Sequence, residues 1–185
     1  EPPPSVYPGI SAGSLVGWEA AKSGWRPVPG VTYPGVIQQP ALLERGPEFL
    51  RKRRASILPP REGGDYRVLV PGFGADNNEK GCLMMPAVAV PVASLTGWNL
   101  RHESVGAPGE LLSLQGAYIP FLRDKSARAT AKDPRPSLLE RYRGFEFYLE
   151  QYLAWGRKLV RERYLLEEDL PSVDRGAWNR EKLFE

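Results

Sequence analysis

Glycine and proline, more than any other residues, constrain how this chain can fold. The 185-residue sequence holds 19 of each, about a fifth of the chain together. Proline fixes φ and lacks an amide donor, while glycine reaches positive φ, so this content predicts many turns and short regular elements. Aromatic residues still form 10% of the sequence and need burial, which favours a loop-rich folded chain over a disordered one.

The order of the patterns predicts an α+β fold in three regions. Residues 1–60 read as a proline-rich, extended arm with short helices, one of them around Leu15 to Ser23. Residues 61–122 read as a strand and loop region with a few antiparallel strands. Residues 123–185 read as a helical C-terminal region.

Two apolar runs predict the strands of the middle region. They are Tyr66–Val70, which Pro71 ends, and Ala87–Val92. Between them, residues 74–81 are rich in Asp, Asn and Gly, which tolerate turn conformations, so they predict a loop tip. A calcium loop is the alternative, but its alternating ligands and distal glutamate are missing.

Helices dominate the predicted C-terminal region. Asp124 to Ala131 predicts a short helix, and Ser137 with Glu140 has the spacing of a capping box that opens a longer one. The longer helix is expected to reach about Tyr164, and one more is expected around Asp174 to Leu183. Apolar residues at helical spacing predict a core-facing stripe, comprising Leu138, Tyr142, Phe145, Leu149, Tyr152 and Leu159.

Composition argues against several classes of function. The net charge is only +3, and the one dense basic run, Arg51–Arg54, reads as a solvated surface turn without the signature of a nucleic-acid-binding module. Cys82 is the only cysteine, so an internal disulfide or a cysteine-based metal cluster is excluded. No apolar run approaches the ~18 residues that suggest a membrane span. The sequence therefore predicts no nucleic-acid partner, no membrane span and no cofactor.

A complete catalytic machine is not recognisable in the residues. The G-x-S-x-G turn that exposes a serine nucleophile is absent. His102 is the single histidine; beside Glu103 it could act as a general base, although a surface position is the more ordinary interpretation. One histidine also offers too few ligands for a histidine-based zinc site. The sequence predicts no catalytic residue and no metal site within this chain.

Several ordered segments resemble the C-terminal region of a large family of bacterial α/β-hydrolase-domain proteins. Together they cover nearly the whole chain: the proline-rich start at 2–8, Val28–Val31, Tyr66–Pro71, Val88–Pro91, Thr96–Arg101, Gly106–Leu111, Tyr118–Phe121, Asp133–Tyr142 and Leu165–Asp169. Members of this family look like serine esterases or related hydrolases. The resemblance implies that the nucleophile and the catalytic histidine lie upstream, in a hydrolase core on which this chain packs.

The resemblance also shapes what the chain is expected to do. It implies an accessory part of an ester hydrolase, or less favourably an amide hydrolase, whose partner is the upstream core in the same precursor or in a companion chain. It alone favours a secreted or periplasmic location. Two alternatives remain open: a non-catalytic protein-binding or assembly module, and a self-sufficient enzyme that uses His102.

The segment from Thr96 to Arg101 is the one expected to contact a substrate. Trp98 offers an apolar wall, Asn99 both a donor and an acceptor, and Arg101 a fixed cation that can grip a carboxylate. The structural alternative is that Trp98 packs in the core, Asn99 caps a turn and Arg101 pairs within the fold.

Overall fold

The computed structural model describes residues 15–37, 40–66, 68–80 and 83–185. Within these ranges the fold is mixed α+β, with three two-stranded antiparallel pairs and seven α-helices. The longest helices lie in the C-terminal region. The predicted α+β class and the antiparallel pairing are therefore confirmed. The proline-rich start of the arm lies outside the described residues.

Each strand is only three to five residues long. The pairs are β1 (Leu15–Gly17) with β4 (Leu69–Pro71), β2 (Ala41–Glu44) with β3 (Arg61–Asp65), and β5 (Ala93–Leu95) with β6 (Tyr118–Pro120). Prolines within or beside three of these strands keep them short, because proline cannot donate to a ladder: Pro71, Pro91 and Pro120.

The first predicted strand is displaced in the structure. Pairing begins at Leu69 rather than Tyr66, and the amide of Tyr66 instead donates to the carbonyl of Pro40 at 3.1 Å. Arg67 lies outside the described residues. The preceding residues form β3, which contains Gly63 and Gly64 and was missed because glycine disfavours strands.

The second predicted strand, Ala87–Val92, is wrong for most of its length. Pro86–Ala89 form one turn of helix, and amides at Val88 and Ala89 donate to the carbonyl of Met85. Proline in the first turn of a helix loses no hydrogen bond and has a suitable φ, so Pro86 favours this start. Pro91 then separates the helical turn from β5.

The helices follow one another in chain order. They are α1 (Trp18–Gly24), α2 (Phe49–Lys52), α3 (Pro86–Ala89), α4 (Lys125–Ala131), α5 (Leu138–Tyr142), α6 (Phe145–Arg161) and α7 (Leu170–Trp178). The helix at 125–131 and the capping box of Ser137 with Glu140 are confirmed. The short helix predicted around Leu15 to Ser23 is confirmed from Trp18 onward, whereas Leu15–Gly17 form β1. The cap of α4 is Asp124, whose Oδ1 accepts from the Ala127 amide at 2.9 Å.

The predicted continuous helix from Ser137 to Tyr164 is wrong. Arg143 adopts a left-handed conformation with φ of +59°, which ends α5, and a new helix starts after Gly144. The second helix then stops at Arg161. The final helix starts earlier than predicted, at Leu170, and a 3-10 turn over Glu181–Leu183 follows it.

Most of the apolar stripe still meets one core, because α5 and α6 both contribute to the same cluster, whereas Leu159 is buried outside it. The buried members of that cluster are Val90, Val92, Phe121, Leu138, Tyr142, Tyr148, Tyr152, Ala177 and Phe184. Burial of a large apolar side chain stabilises a fold by about 1.5–3 kcal/mol. Gly156 permits a close approach of α7, since a Cβ there would lie 2.9 Å from the Leu170 side chain.

Residues 41–66, here called the outer hairpin, form a small unit of β2, α2 and β3. Its main-chain hydrogen bonds include those from Ser56 and Ile57 to the carbonyl of Arg45. Apolar side chains stay largely exposed on this unit: Leu42, Leu43, Leu50, Leu58 and Tyr66. The basic run Arg51–Arg54 is also exposed, as the sequence predicted for a surface turn.

Candidate functional site

A loop between β5 and β6 carries all four of the candidate site residues. Thr96 anchors its base: the Thr96 amide donates to the carbonyl of Ala117 at 3.0 Å, and the Ala117 amide donates to the Thr96 hydroxyl at 2.9 Å. Further along, Leu100 and Leu111 form an isolated antiparallel bridge. The two sides of the loop therefore run antiparallel and are held together at its base and at the Leu100–Leu111 bridge.

The candidate residues Trp98, Asn99, Arg101 and His102 line one open groove of about 440 Å³. Residues 30–32 of the arm form part of the same groove. A groove of this volume falls within the range of small-molecule sites. The fold therefore brings together the four residues that the sequence singled out, and their role in substrate binding stays a prediction.

Trp98 joins the loop to the arm. Its ring centroid lies 5.5 Å from that of Trp25 and 5.8 Å from that of Tyr33, both in edge-on geometry. Trp25 is stacked on Tyr33 at 4.9 Å. Aromatic pairs in these arrangements add about 0.5–1.5 kcal/mol each beyond area burial, so Trp98 has a packing role besides lining the groove.

Asn99 and Arg101 hold the shape of the loop. The Asn99 Oδ1 accepts from the Leu100 amide at 2.9 Å. Arg101 donates from Nε to the carbonyl of Gly106 at 2.9 Å and from Nη2 to that of Val105 at 2.6 Å. Among the described residues, Arg101 Nη1 has no acceptor, so part of the guanidinium can still donate to a ligand in the groove.

His102 caps its own loop. Its Nδ1 accepts from the Ser104 amide at 3.2 Å and lies 2.9 Å from the Ser104 hydroxyl, which places it at the start of the 3-10 turn Glu103–Val105. The side chain is exposed. Within the described part of the chain, no carboxylate lies at ion-pair distance from His102. A serine, a base and an orienting carboxylate are therefore not assembled around it.

The turn at Asp76–Asn78 makes hydrogen bonds to distant parts of the chain that the sequence did not predict. Both polar ends of the Asn77 side chain bond the backbone of Arg26, at 3.0 and 2.8 Å. Asn78 accepts from the Leu95 amide at 2.7 Å and donates to the Ala93 carbonyl at 3.0 Å. The predicted turn is confirmed, and it also ties the arm to β5.

Arg135 completes this network, and we call Asp76, Asn77, Asn78, Ser94, Asp133 and Arg135 the polar hub. The guanidinium is almost fully buried and reaches Asp133 at 2.7 Å, Ser94 Oγ at 2.8 Å and the carbonyl of Ile119 at 2.9 Å. Burial opposes ionisation of Asp133, but hydrogen bonds and charge from Arg135 outweigh it and lower the pKa of that carboxyl.

The hub holds a buried serine that does not have the surroundings of a nucleophile. Ser94 donates to the carbonyl of Asp76 and accepts from Arg135, so its proton and one lone pair are engaged. No histidine is near it, since His102 lies on the exposed loop. In the sequence, the signal for this pair is that Asp133 and Arg135 are separated only by Pro134.

The described residues offer neither a metal site nor a membrane-spanning helix. No group of three or more His, Cys, Asp or Glu side chains there could hold a metal ion. No helix in those ranges is both long and apolar enough to cross a membrane.

Comparison with known proteins gives one match. Residues 53–174, about two thirds of the chain, match the family model described as an alpha/beta hydrolase domain. The matched range includes the four groove residues and all of the polar hub. No curated protein and no solved structure matches the chain.

Proposed function

Because the chain belongs to the α/β-hydrolase domain family, we propose that it is the C-terminal accessory part of an ester hydrolase. In this proposal the nucleophile and base lie in an upstream segment or companion chain, and the present chain covers and shapes their active site. The substrate is a small ester or, less favourably, an amide. A bacterial source and a secreted or periplasmic location belong to the same proposal.

The main support for the proposal is that His102 is exposed and caps its own loop. A serine nucleophile is weak until a neighbouring base takes its proton, and that base is usually a histidine. This sequence holds one histidine, which caps its own exposed loop, and it holds no serine elbow. A family member with these features needs its reacting groups from elsewhere, which supports a division of labour.

The outer hairpin supplies a surface for docking the core. A groove of about 570 Å³ runs between β2 and α2, and Leu50 on its edge is 84% exposed. Soluble proteins rarely leave contiguous apolar surface of this kind uncovered. The adjacent Arg51–Arg54 run is exposed and basic, so the face of the core that docks here is apolar with an acidic rim.

The groove on the loop between β5 and β6 is the part that would face the substrate. Trp98 provides an apolar wall, and Arg101 retains a donor that no described residue occupies. Since an arginine held by two carbonyls has little freedom left, it can orient an ester carbonyl or carboxylate at low entropic cost.

Co-expression of the tagged chain with the coding segment upstream of Glu1 tests the proposal. The chain alone should not hydrolyse p-nitrophenyl acetate above background, whereas the combined material should, and a fluorophosphonate probe should label a serine in the upstream segment. Turnover by the isolated chain with labelling of one of its own serines would refute the division of labour. An upstream segment without a serine elbow would favour the assembly module instead.

A matched pair of variants tests the docking surface. Leu50→Glu places a charge on the outer hairpin and should lower recovery of the upstream segment on the tagged chain at least about tenfold, or about 1.4 kcal/mol. Leu166→Glu changes an exposed leucine of the C-terminal region that lines neither groove, and it should leave recovery unchanged. Equal recovery with both variants would exclude the outer hairpin as the contact.

A further inference from the structure

A second cavity, here called the aromatic pocket, lies between the arm, the turn after β4 and the loop after β5. Its volume is about 280 Å³. Four half-buried aromatic side chains line it: Trp18, Tyr33, Phe73 and Trp98. The remaining lining is mostly aliphatic, apart from Glu79. The volume falls just below the ~300–1,000 Å³ typical of ligand pockets, so it suits a small head group.

Glu79 is the one charged residue of this lining. The residue lines the pocket and is exposed to solvent, yet partial burial raises the pKa of its carboxyl. Among the described residues, no lysine or arginine forms an ion pair with it. A carboxylate beside apolar and aromatic walls, with no positive partner among the described residues, can attract a cation from solution into the pocket.

The aromatic rings of the pocket pack against one another and against Trp25, and the surface that they leave to the pocket can attract a cation. Ring faces carry negative potential and attract cations, by up to about 2 kcal/mol at desolvated sites. Elsewhere in the described chain, arginine or lysine lies over Phe49, Phe121, Phe147, Tyr152 and Trp155. No described cation lies over the four rings of the pocket. The hydroxyl of Tyr33 is buried without a hydrogen-bond partner.

We propose that the aromatic pocket binds a small methylated alkylammonium ion, with Glu79 as its counter-charge. A primary ammonium needs three hydrogen-bond acceptors, and this lining offers few besides Glu79 and the Tyr33 hydroxyl. A quaternary ammonium needs none and packs its methyl groups on aromatic faces. An anion would be repelled by Glu79, and a neutral ligand would leave the carboxylate uncompensated. The assignment does not depend on the proposed catalytic partner.

Choline and its neutral isostere 3,3-dimethylbutan-1-ol provide a matched pair of probes for the 185-residue chain. Calorimetry, with tryptophan fluorescence as a second signal, should give choline an affinity at least about tenfold higher, equivalent to about 1.4 kcal/mol. Added NaCl should weaken choline binding and leave the alcohol unaffected, because screening acts on the charge. Equal affinities for the two probes, or no saturable binding of choline, would overturn the proposal.

Three variants locate the site. Glu79→Gln should lower choline affinity about tenfold and leave the alcohol unchanged, while Glu103→Gln, on the loop that carries His102, should change neither. Trp18→Leu removes one aromatic wall and leaves Glu79 in place, and it should lower the affinity for choline several-fold. Each variant is compared at an unfolding midpoint close to that of the parent. Unchanged choline affinity in either Glu79→Gln or Trp18→Leu would refute the site.

Discussion

Replacing Arg135 by methionine should be among the most damaging single changes in this fold. The substitution keeps much of the aliphatic volume but deletes six side-chain hydrogen bonds, three to Asp133 and one each to Ser94, Ile119 and Pro120. Both charges of the pair are almost fully buried. Removal of one partner from a buried ion pair costs about 3–5 kcal/mol, because the other charge is left uncompensated.

The loss should depend on pH in a defined direction. Arg135 holds the pKa of Asp133 below its usual value, so this carboxyl stabilises the fold above about pH 4. That contribution disappears as the pH falls through the lowered pKa of the folded state. Without the Arg135 guanidinium, burial is the largest remaining influence on Asp133 and acts to raise its pKa, while the amide of residue 135 and the charge of Arg128 still lower it. The gap between parent and variant should therefore be widest near pH 7 and narrower near pH 4.

Urea unfolding followed by circular dichroism measures both effects. Arg157→Met, on the exposed face of α6, is the control and should shift the free energy of unfolding by less than about 0.5 kcal/mol. The double variant Asp133→Asn with Arg135→Met should recover part of the loss, because it removes the orphaned charge. A single-variant cost below about 1 kcal/mol, or one independent of pH, would contradict the reasoning.

Three further predictions concern sterics, alkaline stability and the lone histidine. Gly116→Ala should lower the free energy of unfolding by about 1–3 kcal/mol, because a Cβ there would lie 2.0 Å from the Thr96 carbonyl oxygen. Gly97→Ala, where the added methyl group meets open space, is the control in the same urea assay. Burial raises the pKa of Tyr148 to about 12. The stability that the neutral hydroxyl gives the fold is therefore intact below about pH 10 and should be lost as the pH rises toward 12. In thermal melts over this pH range, Tyr148→Phe should make the melting temperature less dependent on pH. In the proposed assembly of core and present chain, His102→Ala should change esterase activity by no more than about twofold. A loss of more than about a hundredfold would identify His102 as the general base instead.

The sequence predicted correctly those helix starts and turns that are stabilised by hydrogen bonds from nearby side chains. The capping box at Ser137, the Asp124 cap and the Asp-Asn turn each satisfy backbone groups with side chains two or three residues away. Such bonds do not depend on the rest of the fold, so the sequence is sufficient. The break at Arg143 differs, because arginine as a residue type has no preference for the left-handed conformation that ends α5 there.

The candidate site shows the same division. A short apolar run such as Ala87–Val92 suits a strand or a buried helix equally well, and tertiary contacts decide between them. Trp98 and Arg101 were found because they lie in the Thr96–Arg101 segment that carries the family resemblance and have side chains suited to binding a ligand. Glu79 and Tyr33 were missed, since they are 46 positions apart and only the folded arm brings them to one pocket.

The polar hub has a consequence for how the chain is made. Asn77 needs the backbone of Arg26, and Asp76 needs Arg141, which is synthesised 65 residues later. During translation, the turn therefore leaves the ribosome long before its last partner does. Until residue 141 emerges, Asp76 Oδ2 lacks its Arg141 partner, so this link between the turn and α5 can form only after about three quarters of the chain has been synthesised.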